Sequence, residues 1–156
     1  MKASFDLTGK VAVVTGGSRG IGRALAEGLP AAGAEVVVSS RKLDACQQAA
    51  TEIRDATGQK AVGIACHVGL WDDCDGLHKA VYEEFGRCDI FVSNAGMSPL
   101  YEDLTTVTEA LYDKTHAVNA RGPFRLCALF GSSMAAADGG VDHHRIERGL
   151  VAAKPA

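Results

Sequence analysis

Thr15-Gly16-Gly17-Ser18-Arg19-Gly20-Ile21-Gly22 follows the β-branched run Val11-Ala12-Val13-Val14 and precedes a stretch with helical apolar spacing. A short run of this kind, without polar alternation, is the pattern of a strand buried on both faces. After the glycines, Ile21, Ala24, Leu25, Gly28, Leu29 and Ala32 recur at the helical period and predict one apolar stripe, with Gly33 as its stop. Pro30 falls in the last turns of that helix, where it removes a backbone donor. Between a strand and a helix the glycines acquire separate roles. Gly16 allows a tight turn, Gly20 lets the backbone approach a pyrophosphate, and Gly22 lets the helix pack against the strand. The anion then faces a helix N-terminus, whose N–H groups have no internal partners. A glycine cluster alone also describes an ordinary flexible turn. Its strand and helix flanks favour a dinucleotide loop.

The alternation continues outward. Glu35–Ser39 predicts a second strand, Ala61–Ala65 a third and Asp89–Ser93 a fourth. Between them, Leu43 to Thr57 predicts a helix with Leu43, Cys46, Ala50 and Ile53 on one side, and Asp72 to Phe85 a helix with Leu77, Ala80, Val81 and Phe85 inward. Thr108 to about Met134 is largely helical, interrupted near Gly122-Pro123. Strands alternating with helices of this length imply an α/β fold: a Rossmann-type, doubly wound parallel sheet with right-handed crossovers. A fifth strand is expected after Gly140 and is not present. Residues 1–140 therefore read as an incomplete dinucleotide-binding domain and 141–156 as an irregular tail.

Composition narrows the function classes. Of 156 residues, 47% are hydrophobic and 22% charged, the balance of a soluble globular protein. The net charge of −3 and scattered basic residues argue against a nucleic-acid partner. No apolar run approaches the ~20 residues of a membrane span, and Met1 to Lys10 lacks a signal-peptide core. Cys46, Cys66, Cys74, Cys88 and Cys127 are odd in number and include no C-x-x-C pair, which suggests reduced thiols in a cytoplasmic protein.

The T-G-x-x-x-G-I-G spacing, Ser93-Asn94-Ala95-Gly96, and Val118-Asn119-Ala120-Arg121-Gly122 together resemble the short-chain dehydrogenases/reductases. Cys66-His67-Val68-Gly69 and Ser39-Ser40-Arg41-Lys42 look further like the NADP-dependent carbonyl and retinal reductases of that family. The resemblance implies an oxidoreductase moving a hydride between NADP(H) and a small-molecule carbonyl or secondary alcohol, commonly as a homo-oligomer. It places the cofactor on Thr15, Gly16, Ser18, Arg19, Gly20, Ile21, Gly22, Ser40, Arg41, His67, Val68, Asn94, Ala95 and Gly96. NADP is expected in preference to NAD. An acidic residue at the end of the second strand would bond a ribose 2′-hydroxyl, whereas arginine suits a 2′-phosphate. Here that strand ends in Ser39, Ser40 and Arg41, and Arg19 lies within the loop. Each arginine alone is equally well read as solvated. Many family members carry an aspartate at the position of His67, accepting from the adenine amino group. Histidine cannot accept in the same way.

The resemblance also exposes a gap. The family's proton donor is a tyrosine with a lysine four residues later, and a serine polarises the carbonyl. Four residues beyond Tyr82, Tyr101 and Tyr112 stand Gly86, Thr105 and His116, so no Y-x-x-x-K occurs. Ser132-Ser133 lies on the long helix rather than after a fifth strand. Asn119 is the one member of the catalytic tetrad present, with a second role in mending a helix kink. These features suggest a catalytically incomplete chain; a non-catalytic nucleotide-binding or dimerising module and an unstable truncated product are the alternatives. Leu126, Phe130 and Met134 fit either a dimer face or the core. Ile90, Phe91 and Val92 are expected on an open, apolar sheet edge. Asp142, His143, His144 and Glu147 do not form an established ligand pattern, and no metal site is expected. Codons for Val141 to Gly149 can be chosen so that a one-base shift encodes Ser-Ile-Ile-Thr-Val-Ser-Ser-Ala, an apolar strand leading into paired serines. The tail is thus compatible with a change of reading frame after Gly140.

Overall fold

The computed structural model describes residues 5–137. The tail after Gly140, including Asp142 to Glu147, lies outside the described residues. Strands β1 (Val11–Thr15), β2 (Glu35–Ser40), β3 (Ala61–Ala65) and β4 (Ile90–Val92) form one sheet in the order β3-β2-β1-β4. Every pairing is parallel, with Val13 opposite both Val37 and Phe91. This is the doubly wound parallel sheet that strand–helix alternation implies. The helices are α1 (Gly20–Ala31), α2 (Leu43–Thr57), α3 (Trp71–Phe85), α4 (Glu109–His116) and α5 (Gly122–Ala136).

The period-two alternation of a strand sorts the core into two layers. Ala12, Val14, Val36 and Val38 face α1 and α2, packing on Ala26, Ala49, Ala50 and Ile53. Val13, Val37 and Phe91 face α3 and α5, meeting Leu77, Val81, Leu126, Phe130 and Met134. Leu126, Phe130 and Met134 are therefore core residues, which removes them as a dimer face. Phe130 stacks on Phe91 with ring centroids 4.7 Å apart.

Three expectations need correction. The buried side of α1 is Gly22, Ala26 and Pro30, while Ile21 is 66% exposed and Ala24 and Gly28 are exposed too. Small residues face the sheet because the helix backbone lies close to it. Pro30 lies in the last turn of α1, where the Gly33 N–H closes onto its carbonyl at 2.9 Å. In α2, Leu43 is exposed and Ala49 takes its place in the core. The break in the long helix is a π-turn at Ala117–Arg121, ahead of Gly122-Pro123. Pro123 sits in the first turn of α5, where its missing N–H does no harm.

One side of β4 pairs with β1, and among the described residues no strand pairs with the other. The apolar exposure there is smaller than expected. Phe91 is buried under α5, and Ile90 and Val92 are half-buried. The open row of backbone groups remains a template for pairing. The 156-residue chain is expected to associate with itself as its concentration rises, in sedimentation or light scattering. A monodisperse monomer with a sharp thermal transition would contradict this.

Candidate functional site

The C-terminal ends of the strands form a crevice between the β1–α1 and β4–α4 connections, the position at which open α/β sheets hold ligands. Thr15, at the end of β1, is 1% exposed. Its hydroxyl donates to the Val92 carbonyl at 3.2 Å and accepts the N–H groups of Asn94 at 3.1 Å and Ala95 at 3.2 Å. One donor and two acceptor positions are all that a hydroxyl has. The Thr15 side chain thus builds the site and has no capacity left for a ligand.

Asn94 returns the connection. Its Nδ2 donates to the carbonyls of Thr15 at 3.1 Å and Gly16 at 3.4 Å. A Cβ at Gly22 would overlap both the Gly16 carbonyl and Asn94 Nδ2. Gly22 therefore packs on the loop and on Asn94, a tighter constraint than the helix–strand contact expected of it. Gly16 and Gly20 have positive φ of 66° and 58°, and Gly20 opens onto space. The Gly17 N–H, which no sequence pattern marks, donates to the Ser39 carbonyl at 3.0 Å and fastens the loop to β2. Arg19 precedes α1 in extended conformation and gives no side-chain cap. The helix N-terminus and the open space over Gly20 thus suit a pyrophosphate. Ser18 is half-buried in the same loop.

At the end of β2, the Ser39 hydroxyl is buried with no hydrogen-bond partner among the described residues. The Ser40 hydroxyl lies 3.0 Å from Cys46 Sγ, and burial pushes that thiol up from its ordinary range. Arg41 is exposed. Other arginines have acceptors: Arg23 has Glu27 and Glu52, Arg54 the Ala61 carbonyl, Arg87 Asp89, Arg121 the Gly69 carbonyl and Arg125 Asp75. Arg19 and Arg41 make no side-chain hydrogen bond or ion pair among the described residues.

Beyond β3, the His67 N–H donates to Asp73 Oδ2 at 2.9 Å, and His67 Nδ1 accepts the Gly69 N–H at 3.1 Å. Val68 is buried, and its carbonyl accepts from Cys74 Sγ at 3.4 Å. A Cβ at Gly122 would overlap the Val68 carbonyl, so α5 begins in direct contact with this loop. A groove of about 810 Å³ opens beside His67, lined also by Gly69, Lys114, Ala117, Val118 and Phe124. After β4, Ala95 and Gly96 lead into Met97. Asn119, inside the π-turn, clamps that segment: its Oδ1 accepts the Met97 N–H at 2.8 Å and its Nδ2 donates to the Met97 carbonyl at 2.7 Å. The side-chain amide is engaged with that backbone through both its oxygen and its nitrogen. Ser133 is bonded to His78 at 2.8 Å in the α3–α5 layer, which removes it from the crevice. Burial pushes the Tyr82 phenol up, the opposite of what a proton donor in hydride chemistry needs. Among the described residues no cluster of His, Cys, Asp or Glu could hold a metal, and no helix is long and apolar enough to cross a membrane.

The sequence model of the short chain dehydrogenases matches residues 10–141. The chain belongs to this family, oxidoreductases that bind a nicotinamide cofactor and act on small molecules. It is 41% identical over 117 residues to dehydrogenase/reductase SDR family member 4 of Pongo abelii, covering 75% of this chain and 42% of that protein. A metagenomic short-chain oxidoreductase solved with NADP superposes with a TM-score of 0.80 at 39% identity, over 84% of this chain and 59% of that one. L-sorbose reductase of Gluconobacter frateurii, solved with NADPH and L-sorbose, gives 0.81 at 30% identity, over 85% and 50%. The chain spans about half the length of the relatives it matches.

Gly22→Ala tests the loop. Replacing glycine inside a helix ordinarily stabilises by up to ~1 kcal/mol, but here the added methyl must displace the Gly16 carbonyl and Asn94. A net loss of about 1–3 kcal/mol is expected, read as a lower urea midpoint. An unchanged or higher midpoint would show that the contact is not tight.

Proposed function

We propose that residues 1–140 are the NADP-binding half of a reductase that interconverts carbonyls and secondary alcohols, and that these 156 residues bind the cofactor without turning it over. The observation that carries the cofactor choice is the pair of arginines without acceptors. Arg19 and Arg41 flank the ends of β1 and β2, where a dinucleotide places its adenosine ribose. The carboxylate that would favour a free 2′-hydroxyl is replaced there by Ser40. The NADP and NADPH bound in the two structural neighbours support the same choice for this chain.

In this reading the backbone of Gly16 to Gly22 cradles the pyrophosphate at the start of α1. Ser18, Gly20 and Ile21 lie beside it, and Ser40, Arg19 and Arg41 hold the 2′-phosphate. His67 and Val68 face the base, while Ala95 and Gly96 leave room on the nicotinamide side. A nicotinamide held there would supply hydride chemistry. Asn119 keeps the segment at Met97 in place. The family's proton donor is missing, since no tyrosine stands four residues before a lysine.

Calorimetry on the 156-residue chain is expected to show NADPH bound at least about tenfold more tightly than NADH, the worth of one charge-assisted hydrogen bond. Arg41→Asp should abolish that preference. Equal affinities for the two cofactors, or a preference unaltered in Arg41→Asp, would reject the assignment. In a spectrophotometric assay the same chain is expected to leave NADPH unoxidised in the presence of aldehydes and ketones. Turnover well above buffer that disappears in Asn119→Ala would overturn this.

A further inference from the structure

The Ser40 hydroxyl has one hydrogen-bond partner among the described residues, and that partner is a thiol: its Oγ lies 3.0 Å from Cys46 Sγ. Strand alternation explains the encounter. Val36 and Val38 face α1 and α2, so Ser40, two residues further along β2, turns the same way and meets the start of α2. Cys46 cannot draw back. It is fully buried, and a Cβ on Gly63 would stand 2.4 Å from its carbonyl carbon, so α2 rests directly on β3 at this point. Burial pushes the thiol up, which keeps it protonated at neutral pH.

A thiol has one proton to give. The Cys46 S–H can go to the Ser40 hydroxyl or, at 3.7 Å, to the Ser40 carbonyl. That carbonyl already accepts the Cys66 N–H at 2.9 Å. The hydroxyl has two lone pairs and a proton of its own, while sulfur is a weak acceptor. A phosphate beside Ser40 therefore settles the direction. Its charged oxygens outcompete sulfur for the hydroxyl proton, and the thiol proton then fills a lone pair on Oγ. The bonds run from the Cys46 S–H to Ser40 Oγ and from the Ser40 O–H to phosphate, each strengthening the other. Ser40 faces the side of the sheet on which an anion finds its other partners. There α1 begins directly after Arg19, and α2 begins at Leu43, two residues beyond Arg41, with no side-chain cap.

We infer that Cys46 is a positioning residue for recognition of a 2′-phosphate: its thiol holds the Ser40 hydroxyl in place and leaves the hydroxyl proton to the ligand. This rests on the NADP-binding reading above. The test is calorimetric titration of the 156-residue chain with two probes, adenosine 2′,5′-bisphosphate and adenosine 5′-phosphate. Alanine and serine are close in volume, so Cys46→Ala and Cys46→Ser leave a similar cavity and differ in a hydroxyl donor. Cys46→Ala should weaken the bisphosphate about three- to tenfold, the worth of one hydrogen bond, while Cys46→Ser stays within about twofold of the unmodified chain. Ser40→Ala should lose as much as Cys46→Ala, and the double variant no more than either, because the two groups act as one unit. None of these changes should alter the affinity for adenosine 5′-phosphate. Equal binding of the bisphosphate by Cys46→Ala and Cys46→Ser, additive losses in the double variant, or equal losses on both probes would overturn the inference and leave the cofactor choice by Arg19 and Arg41 standing. An unmodified chain that binds the two probes equally would remove both.

Discussion

The buried hydroxyl of Thr15 joins elements that no local rule would bring together. It gives one hydrogen bond to Val92 and receives two, from Asn94 and Ala95, across nearly eighty residues of chain. All three partners are backbone groups at or beyond the end of β4; the Asn94 N–H also reaches the Val92 carbonyl at 3.1 Å, so the Thr15 hydroxyl reinforces a turn that is partly closed on itself. Once that turn is fixed, Asn94 is aimed at the carbonyls of Thr15 and Gly16, and the glycine loop is held from behind. Gly22 then sets how near α1 can come. The glycine loop is thus held by Asn94 on one side and by the Ser39 carbonyl on the other.

How much of this is legible in sequence depends on the size of the residues involved. The strands announce themselves, because Val11 to Val14 and Val36 to Val38 have no other sensible place. The inward face of α1 does not. A hydrophobic pattern favours large side chains and so selects Ile21, whereas the closest approach to the sheet is made by Gly22, Ala26 and Pro30. The π-turn is hidden for a related reason. Pro123 signals a broken helix, but at the first turn it is harmless. The extra residue sits at Ala117–Arg121, where the requirement is tertiary: Asn119 must reach Met97. The glycines, Asn94 and Asn119 are legible because their spacing matches a family pattern. The bond from the Gly69 N–H to His67 Nδ1 has no such signature, since it depends on where that backbone lies in space.

The arginines show how the structure separates scaffold charges from available ones. Arg23 comes directly after the glycine loop, yet it bridges Glu27 and Glu52 at 2.7 Å each and ties α1 to α2. Arg125 forks onto Asp75 and lies over the Trp71 ring at 4.7 Å. Exposed pairs of this kind contribute little to stability, about 0–1 kcal/mol, but they hold a side chain to one place. Among the described residues Arg19 and Arg41 have no such tether, and an anion that reached both would have to order two long side chains, an entropy that charge-assisted hydrogen bonds offset.

The π-turn gives the crevice its second support. A continuous α-helix from Glu109 would turn Asn119, Arg121 and Gly122 in fixed steps of about 100°. Widening one turn shifts the phase of every later residue without bending the chain away from the sheet. With that shift, Asn119 grips Met97 on the β4 side, Arg121 grips the Gly69 carbonyl on the β3 side, and Gly122 rests on the Val68 carbonyl. The connections after β3 and after β4 thus both hang on one short stretch of helix, from Asn119 to Gly122.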